Sequence, residues 1–292
     1  MLSRQQHLLA LLDALGGRVG NRDFQKLLFL YCRDAVQAPY EFVPYKYGAF
    51  SFTSYADRRK LVERGLLADD EQCWVLSDAG RSAAAGLPSL GVTMFVQSIG
   101  SLRDDALVAD TYRRFPYFAI RSEIANKLLH GDHDAMERIA SARPSSAPGL
   151  WTIGYEGLAL EGYLNRLLRA GISVLCDVRR NPLSRKYGFS KRTLANGCAG
   201  VGIRYEHLPE LGIASSERQN LDTQADYDAL FDRYEREQLP GQSAAIGAIA
   251  RWIRDGDAVA LTCYERAPEQ CHRHSVAEAI EQMLPGVTSR HL

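Results

Sequence analysis

The sequence has no net charge, no long apolar run and little cysteine, and each absence excludes a class of protein. Its 35 Lys and Arg side chains balance 35 Asp and Glu side chains over 292 residues. A neutral chain has no overall field that draws it to nucleic acid or to an anionic membrane, so any basic site must be local. No apolar stretch reaches the ~20 residues that a membrane-spanning helix needs. We therefore expect a soluble protein with a locally built site.

Cysteine is sparse, and the cysteines form no dense framework of the kind that stabilises small secreted domains. We expect reduced thiols and a cytoplasmic location. The N-terminal apolar run is interrupted by Asp13 and lacks a convincing cleavage region, so it predicts a first helix rather than a targeting segment. The six cysteines are Cys32, Cys73, Cys176, Cys198, Cys263 and Cys271.

A change of composition divides the chain near its middle. The segment ASARPSSAPG, residues 140–149, concentrates Pro, Ser, Ala and Gly without hydrophobic periodicity, as exposed linkers do. A chain of this length can hold two domains that each bury a core. We predict a mainly helical domain at residues 1–140, a linker at 141–149 and an α/β domain at 150–292.

Several local patterns precede the linker. Apolar residues at helical spacing in GNRDFQKLLFLYCRD predict a helix. The stretch YEFVPYKYGAF predicts an extended aromatic segment that ends at Gly48. A second helix is predicted to stop at Gly65, and a short strand at residues 73–76 leads into a helix that opens near Ser77.

This order of helices, polar turn, strand and S-x-x-G resembles the end of many winged-helix domains, over residues 23–85. The resemblance implies DNA binding, and the basic triplet on the candidate recognition helix is Arg58, Arg59 and Lys60. The residues alone leave an alternative, which is a small helical domain that packs against a partner protein.

Strands alternate with helices after the linker, which predicts a mostly parallel sheet covered on both faces. Ligands of such sheets bind beyond the carboxyl ends of the strands. The predicted strands end in glycine or polar residues, so we expect one site at that edge, although charged residues also cap buried strands without a function. These residues are Gly154, Tyr155 and Glu156; Asp177, Val178 and Arg179; His207; and Cys263, Tyr264 and Glu265.

The loop DVRRNPLSRKYGFSKR, residues 177–192, carries six cations and one acid, with Tyr187 and Phe189 between them. Guanidinium and ammonium groups bind phosphate oxygens, and aromatic rings offer a face on which a base stacks. The loop therefore predicts an anionic ligand. The alternative is a solvated loop whose charge is compensated by the acidic residues of 217–228. The cations are Arg179, Arg180, Arg185, Lys186, Lys191 and Arg192.

The stretch CYERAPEQCHRH holds two cysteines and two histidines. Pro268 and Glu269 suit the first turn of a helix, which would place Cys271 near the helix N-terminus. The helix dipole, with His272 or Arg273 beside the thiol, would lower the pKa of Cys271 below the ~8.5 of a free thiol. Cys271 is therefore the first candidate nucleophile.

Cys263 ends the preceding strand and leaves other interpretations open. It is a second candidate nucleophile, or a resolving partner for Cys271. The two thiols are further apart in sequence than the cysteines of common zinc sites, and His207 or His274 could complete a metal site only through folding, so we predict no metal. Both thiols could also be purely structural.

Other polar groups are candidates for proton transfer and ligand binding. Glu265, next to the cysteines, is the predicted general base. His207 is a candidate general acid, although a histidine at a strand end is more often a satisfied structural donor. Asp177 lies two residues from Arg179, which favours pairing of the two.

Five ordered motifs in the second half resemble the family called domain of unknown function 488. They are GYEG at 154–157, DVR-x-x-P-x-S from Asp177, FSK at 189–191, GI-x-Y-x-H-x-P-x-LG from Gly202 and C-x-E-x-x-P-x-x-CHR from Cys263. The resemblance spans about residues 151–283 and implies a Rossmann-like α/β fold without an established activity. The tripeptide DVR is also similar to a segment of rhodanese-like sulfur transferases, which implies sulfur transfer through a reactive cysteine.

These observations predict an enzyme that acts on a phosphate-bearing ligand, a nucleotide or nucleic acid, and that is targeted by a winged-helix-like domain. A non-catalytic DNA-binding ligand sensor and a sulfur transferase are the alternatives. We expect no cofactor and no membrane partner, and the sequence leaves duplex DNA binding and a homodimer open. The predicted catalytic residues are Cys271, Cys263, Glu265 and His207. The predicted ligand-binding residues are Gly154, Tyr155, Asp177, Arg179, Arg185, Lys191, Tyr205, His272 and Arg273.

Overall fold

The computed structural model describes residues 1–34, 38–88, 91–219 and 221–292. The chain divides into two compact units, Met1–Arg143 and Pro144–Leu292. Within the described ranges no helix is long and apolar enough to cross a membrane.

The N-terminal unit is mainly helical, as predicted. Its helices are α1 (Ser3–Ala14), α2 (Asn21–Asp34), α3 (Phe52–Glu63), α4 (Asp78–Ala85), α5 (Val92–Ile99), α6 (Asp104–Arg114), α7 (Ala125–Leu128) and α8 (His133–Ser141). Its strands are β1 (Arg18–Gly20), β2 (Val43–Tyr45), β3 (Gly48–Phe50) and β4 (Cys73–Val75). The predicted helix around Phe24 is α2, whose apolar face lies in the core of this unit.

The short strands of this unit form two antiparallel pairs, β1 with β4 and β2 with β3. The β2–β3 hairpin is the predicted aromatic segment. Gly48 has a φ of +91° at its turn, a conformation that favours glycine. The predicted stop of α3 at Gly65 is confirmed, and its φ is +69°. Pairing of such short strands does not define a winged helix, so that resemblance stays a prediction.

The C-terminal unit is an α/β domain with a five-stranded parallel sheet, and the predicted fold class is confirmed. Its strands are β5 (Gly149–Gly154), β6 (Val174–Asp177), β7 (Arg204–His207), β8 (Ala258–Cys263) and β9 (Arg290–His291). Its helices are α9 (Leu160–Arg169), α10 (Lys191–Gly200), α11 (Gln224–Glu237), α12 (Ser243–Arg254) and α13 (Arg273–Met283). The sheet order is β7-β6-β8-β5-β9.

The central strands of this sheet are covered on both faces. Val174 and Cys176 of β6 lie with Val259 and Leu261 of β8 in one apolar cluster, which α12 and α13 complete. Because successive side chains of a strand point to opposite faces, the residues between them face the other side of the sheet. Those residues are buried as well. This burial explains why the strands are nearly continuous apolar runs in the sequence.

The strand register brings the predicted site residues to one edge. Gly154 pairs with Cys263 across β5 and β8. Asp177 pairs with His207 on one side and with Thr262 on the other. Neighbouring strands lie about 4.8 Å apart, so these residues form one row at the carboxyl ends of the strands. The expectation of a shared edge is confirmed.

Candidate functional site

A cavity of about 330 Å³ lies beyond this row of strand ends. Four arginines line it, and one carboxylate, Glu265, lines it with them. Cys263 and His272 also contribute to its wall. The arginines are Arg179, Arg180, Arg185 and Arg218. Such an excess of guanidinium groups over carboxylates suits an anionic ligand.

Cys263 ends β8 and presents its sulfur beside three polar groups. Its Sγ lies 3.3 Å from Glu265 Oε2 and 4.0 Å from His272 Nδ1. A hydrogen bond from Cys271 lowers the pKa of Cys263 well below its ordinary value, and the nearby His272 lowers it further against the opposing effect of burial. These neighbours favour the thiolate form of Cys263.

Cys271 has the opposite character, which corrects the predicted order of the two thiols. Burial raises the pKa of Cys271, and the neighbouring Cys263 raises it further. Pro268 begins a short 3-10 turn, and α13 begins only at Arg273. Cys271 has extended φ and ψ angles of −143° and 128° and precedes that helix. The predicted helix start was therefore wrong, and the surroundings of Cys271 favour its thiol form.

The backbone of the loop that follows β6 orients His272. Its Nε2 donates to the Val178 carbonyl at 3.1 Å, so Nδ1 faces Cys263. Burial lowers the pKa of His272, but the charge and hydrogen bond of Cys263 more than offset this, and the pKa is raised. The imidazole therefore forms the positive partner of the thiolate.

Glu265 is a carboxyl group that favours its protonated form. Burial raises its pKa, and the adjacent Cys263 raises it further, whereas Arg218 opposes the shift. Arg218 donates a hydrogen bond to Glu265 Oε1. The carboxyl group lies at the cavity wall, where it can carry a proton to or from a ligand.

Arg179 is held in a buried polar network behind the cavity wall. Asp177 accepts hydrogen bonds from Arg179 Nε at 2.8 Å and from the Tyr205 hydroxyl at 2.6 Å. Arg179 also donates to the Tyr155 hydroxyl and to the Phe189 carbonyl, each at 2.9 Å. The predicted pairing of Asp177 with Arg179 is confirmed. Asp177 and Tyr205 therefore orient the guanidinium group.

His207 and Lys191 contact each other rather than the cavity. Lys191 Nζ donates to His207 Nδ1 at 3.0 Å, and His207 Nε2 lies 2.9 Å from the Arg179 carbonyl. Both ring nitrogens of His207 are thus engaged, because β7 is the edge strand and its end faces α10. This geometry favours the structural interpretation of His207 over the general acid, and neither His207 nor Lys191 lines the cavity.

Gly154 and Arg273 shape the loop that carries Glu265. A Cβ atom on Gly154 would lie 1.8 Å from the Glu265 carbonyl oxygen, so only glycine permits this close approach. The buried Arg273 donates to the carbonyls of Glu265 and Arg266 and to Thr152 Oγ1. Both residues act on the ligand site through this loop, not by direct contact with the cavity.

Arg218 is the cavity residue that sequence reasoning missed. It follows a short 3-10 turn, Ser215–Glu217, far in sequence from the strand ends. Burial lowers its pKa, but Glu265, Cys263 and Cys271 together more than offset this and raise it. Arg218 lies in the stretch 217–228, whose acidic residues favoured a compensating surface segment and hid its role.

The motifs quoted from the sequence lie at the strand ends and around the cavity. Residues 159–280 match the family model described as Domain of unknown function DUF488. The resemblance inferred from the motifs is thereby confirmed. No curated protein and no solved structure matches the chain. The family description assigns no activity to the DUF488 domain, so its chemistry has to be argued from its residues.

Three side chains of the DUF488 domain could hold a metal ion. The ligand atoms of Cys263, Cys271 and His272 all lie within 4.8 Å of one another. Thiolate and imidazole ligands suit zinc. The histidine near the thiols is thus His272, not His207 or His274 as the sequence suggested. His274 Nδ1 contacts the Cys271 carbonyl at 2.7 Å instead.

The basic triplet of α3 divides into one engaged and two exposed residues. Arg58 donates to the carbonyls of Asp70 and Cys73, and its guanidinium lies 5.5 Å from the centre of the Trp74 ring. Arg59 and Lys60 are exposed. Arg58 therefore holds the segment before β4, and only the other two side chains are free to meet a duplex.

Proposed function

We propose that this chain is an enzyme in which Cys263 attacks a phosphate-bearing ligand, a nucleotide or nucleic acid. The observation that carries the proposal is that Cys263 and four arginines line the same cavity. A thiolate is a strong nucleophile, and guanidinium groups stabilise the charge on a phosphoryl group as it transfers. A cysteine with a purely structural role would not need four arginines in the same cavity.

The rim of the cavity offers apolar surface for the rest of the ligand. Tyr264 and Leu183 line the cavity and are 46% and 74% exposed, which leaves their faces open to a base. Phe189, a predicted stacking residue, is instead buried against Tyr155, with ring centroids 4.3 Å apart. Stacking on an aromatic face stabilises a bound base by about 1–3 kcal/mol. We assign that role to Tyr264.

The proposed reaction proceeds through a covalent intermediate. The Cys263 sulfur forms a bond to phosphorus while the ester bond to the leaving oxygen breaks. Glu265, whose pKa is raised, gives a proton to that oxygen from its protonated form. The Glu265 carboxylate then accepts a proton from water or another acceptor, whose oxygen displaces the sulfur and restores the thiolate.

Two other functions would use the same cavity. A sensor would bind the anion through the arginines without reaction at Cys263. A sulfur transferase would carry the transferred sulfur on Cys263 as a persulfide, and the arginines would bind an anionic sulfur donor. The position of the Glu265 carboxyl group, 3.3 Å from the Cys263 sulfur, favours the enzyme, since neither binding nor persulfide transfer needs an acid at the leaving oxygen.

The N-terminal unit is proposed to direct the enzyme to its target, with duplex DNA as the candidate. Arg59 and Lys60 on α3 supply the exposed charge for this contact. A neutral chain gives no long-range attraction, so these local charges would determine the salt dependence of binding.

The test is conversion of nucleoside mono-, di- and triphosphates and of p-nitrophenyl phosphate by the full-length protein. We expect turnover by the wild type and by Cys198→Ser, a control at another buried cysteine. Cys263→Ser should lose turnover by at least about 100-fold and keep its affinity for the converted ligand. Equal turnover by wild type and Cys263→Ser would reject the nucleophile. Binding by both proteins without turnover would establish the sensor instead.

A further inference from the structure

We propose that Cys263 is a site of reversible oxidation by peroxide, with Cys271 as the resolving thiol that closes a disulfide. This inference rests on the proposed function in one respect only: oxidation of Cys263 would remove the proposed nucleophile. The formation of the disulfide depends on the two sulfur atoms alone.

The placement of the two thiols carries this inference. Their Sγ atoms lie within 4.8 Å of each other. Cys263 lines the cavity, although only 1% of its surface is exposed, and Cys271 is fully buried and does not line it. A molecule as small as hydrogen peroxide that enters the cavity therefore meets the Cys263 sulfur first.

The reaction balances with peroxide as the only oxidant. The Cys263 thiolate attacks one peroxide oxygen, an S–O bond forms, the O–O bond breaks, and hydroxide leaves. Cys263 is then a sulfenic acid. The Cys271 sulfur attacks the Cys263 sulfur, an S–S bond forms, the S–O bond breaks, and the hydroxide that leaves takes the Cys271 proton as water. Two electrons pass from the thiols to the peroxide.

Closure of the disulfide determines whether the oxidation of Cys263 is reversible. For this step the two thiols need only the close approach of their Sγ atoms. Disulfide formation then protects Cys263 from the irreversible sulfinic and sulfonic acids, and a dithiol reductant restores both thiols.

The inference is tested by peroxide treatment of the full-length protein followed by tryptic mapping. Cleavage after Arg266 separates the peptides of Cys263 and Cys271, so a disulfide joins two peptides that are otherwise apart. We expect this linked pair in the wild type and in Cys198→Ser, and its loss after treatment with dithiothreitol. In Cys271→Ser, the same treatment should give sulfinic or sulfonic acid at Cys263.

Several outcomes would overturn the inference. Oxidation of the partly exposed Cys73 while Cys263 stays reduced would do so, as would a retained zinc ion that protects both thiols. The result for the wild type needs no variant, so misfolding of Cys271→Ser cannot obscure it. A linked pair together with full turnover by Cys263→Ser would reject the proposed function and leave the disulfide in place. Turnover that requires Cys263 without a linked pair would do the reverse.

Discussion

At the scale of single residues, the surroundings of two neighbouring cysteines shift their pKa values in opposite directions. A hydrogen bond from Cys271 and the nearby His272 lower the pKa of Cys263, whereas burial raises the pKa of Cys271. Both thiols are buried, so burial alone would raise the pKa of each. The neighbouring groups therefore determine why the pKa values of the two thiols differ. The amino-acid composition of the segment cannot show which thiol lies next to the His272 imidazole.

Removal of the Cys271 donor should raise the pKa of Cys263. The variant Cys271→Ala lacks the hydrogen bond that contributes most to the lowered value, so Cys263 should react with iodoacetamide only at higher pH than in the wild type. Cys271→Ser keeps a donor and should lie between the two. The measurement is the rate of alkylation of Cys263 against pH, with Cys198→Ala as control. An identical profile in Cys271→Ala and wild type would contradict the assignment.

Lys26 gives a second prediction at this scale, in the N-terminal unit. Burial lowers its pKa from 10.5 to about 7, with a smaller contribution from Arg22. The folded state therefore binds fewer protons than the unfolded chain between pH 7 and 10.5, so Lys26 makes stability rise with pH in that window. Lys26→Met should reduce the slope of unfolding free energy against pH by up to about 1.4 kcal/mol per pH unit.

Urea unfolding at pH 7.5 to 9.5 would measure this slope, in about half-unit steps, for the wild type and Lys26→Met. Lys46→Met is a control at an exposed lysine. Parallel stability curves for the wild type and Lys26→Met would show that Lys26 keeps its charge in the folded protein.

At the scale of elements, close contact between β5 and the loop after β8 sets the position of Glu265. Gly154, the last residue of β5, lies against the Glu265 carbonyl, and Arg273 at the start of α13 donates to the same carbonyl. The loop is thus fixed from both sides. The site depends on backbone packing as much as on the side chains that line it.

Gly154→Ala should displace this loop. Its Cβ would overlap backbone atoms that cannot rotate away, so we expect a loss of about 1–3 kcal/mol of unfolding free energy together with weaker reactivity of Cys263. Gly247→Ala in α12 is the matched control, since no atom lies within 4 Å of its added Cβ and alanine stabilises a helix by up to about 1 kcal/mol. Equal stability of the two variants would contradict the close approach.

The division of the basic triplet on α3 predicts distinct effects on duplex binding. Arg59→Gln and Lys60→Gln should each lower the dependence of log affinity on log salt concentration by about 1. Arg58→Gln should instead lower stability, because it loses its bonds to the Asp70 and Cys73 carbonyls. Duplex titrations at several salt concentrations measure this. Salt-insensitive or absent binding by the folded wild type would favour a protein partner.

The helices and strands with a clear hydrophobic pattern could be predicted from the sequence. Those that form only because of tertiary contacts could not. Strands β5, β6 and β8 of the parallel sheet are apolar runs, and α2 has a helical stripe. The short β1 and β9 have no such pattern and exist because β4 and β5 offer them partners. The start of α13 was misplaced because Pro268 suits a 3-10 turn as well as an α-helix. Arg218 reaches the cavity through tertiary packing, which no local sequence pattern indicates.

At the scale of the whole molecule, a net charge of zero is combined with a local excess of positive charge. The chain as a whole has no net charge, yet the C-terminal unit places four arginines around one cavity. Each of the two units has an apolar core of its own. The proposed anion-binding site therefore belongs to the C-terminal unit, and it is tested in the intact chain.

The central claim is that the Cys263 thiolate and the arginines form one site for a phosphate-bearing ligand. The most direct test is site-resolved alkylation of the full-length protein by iodoacetamide, with and without inorganic phosphate. The account predicts that Cys263 reacts faster than the other five cysteines and that phosphate slows Cys263 alone. Arg218→Gln should weaken this protection. Slow reaction of Cys263, or fast reaction that phosphate leaves unchanged, would contradict the claim.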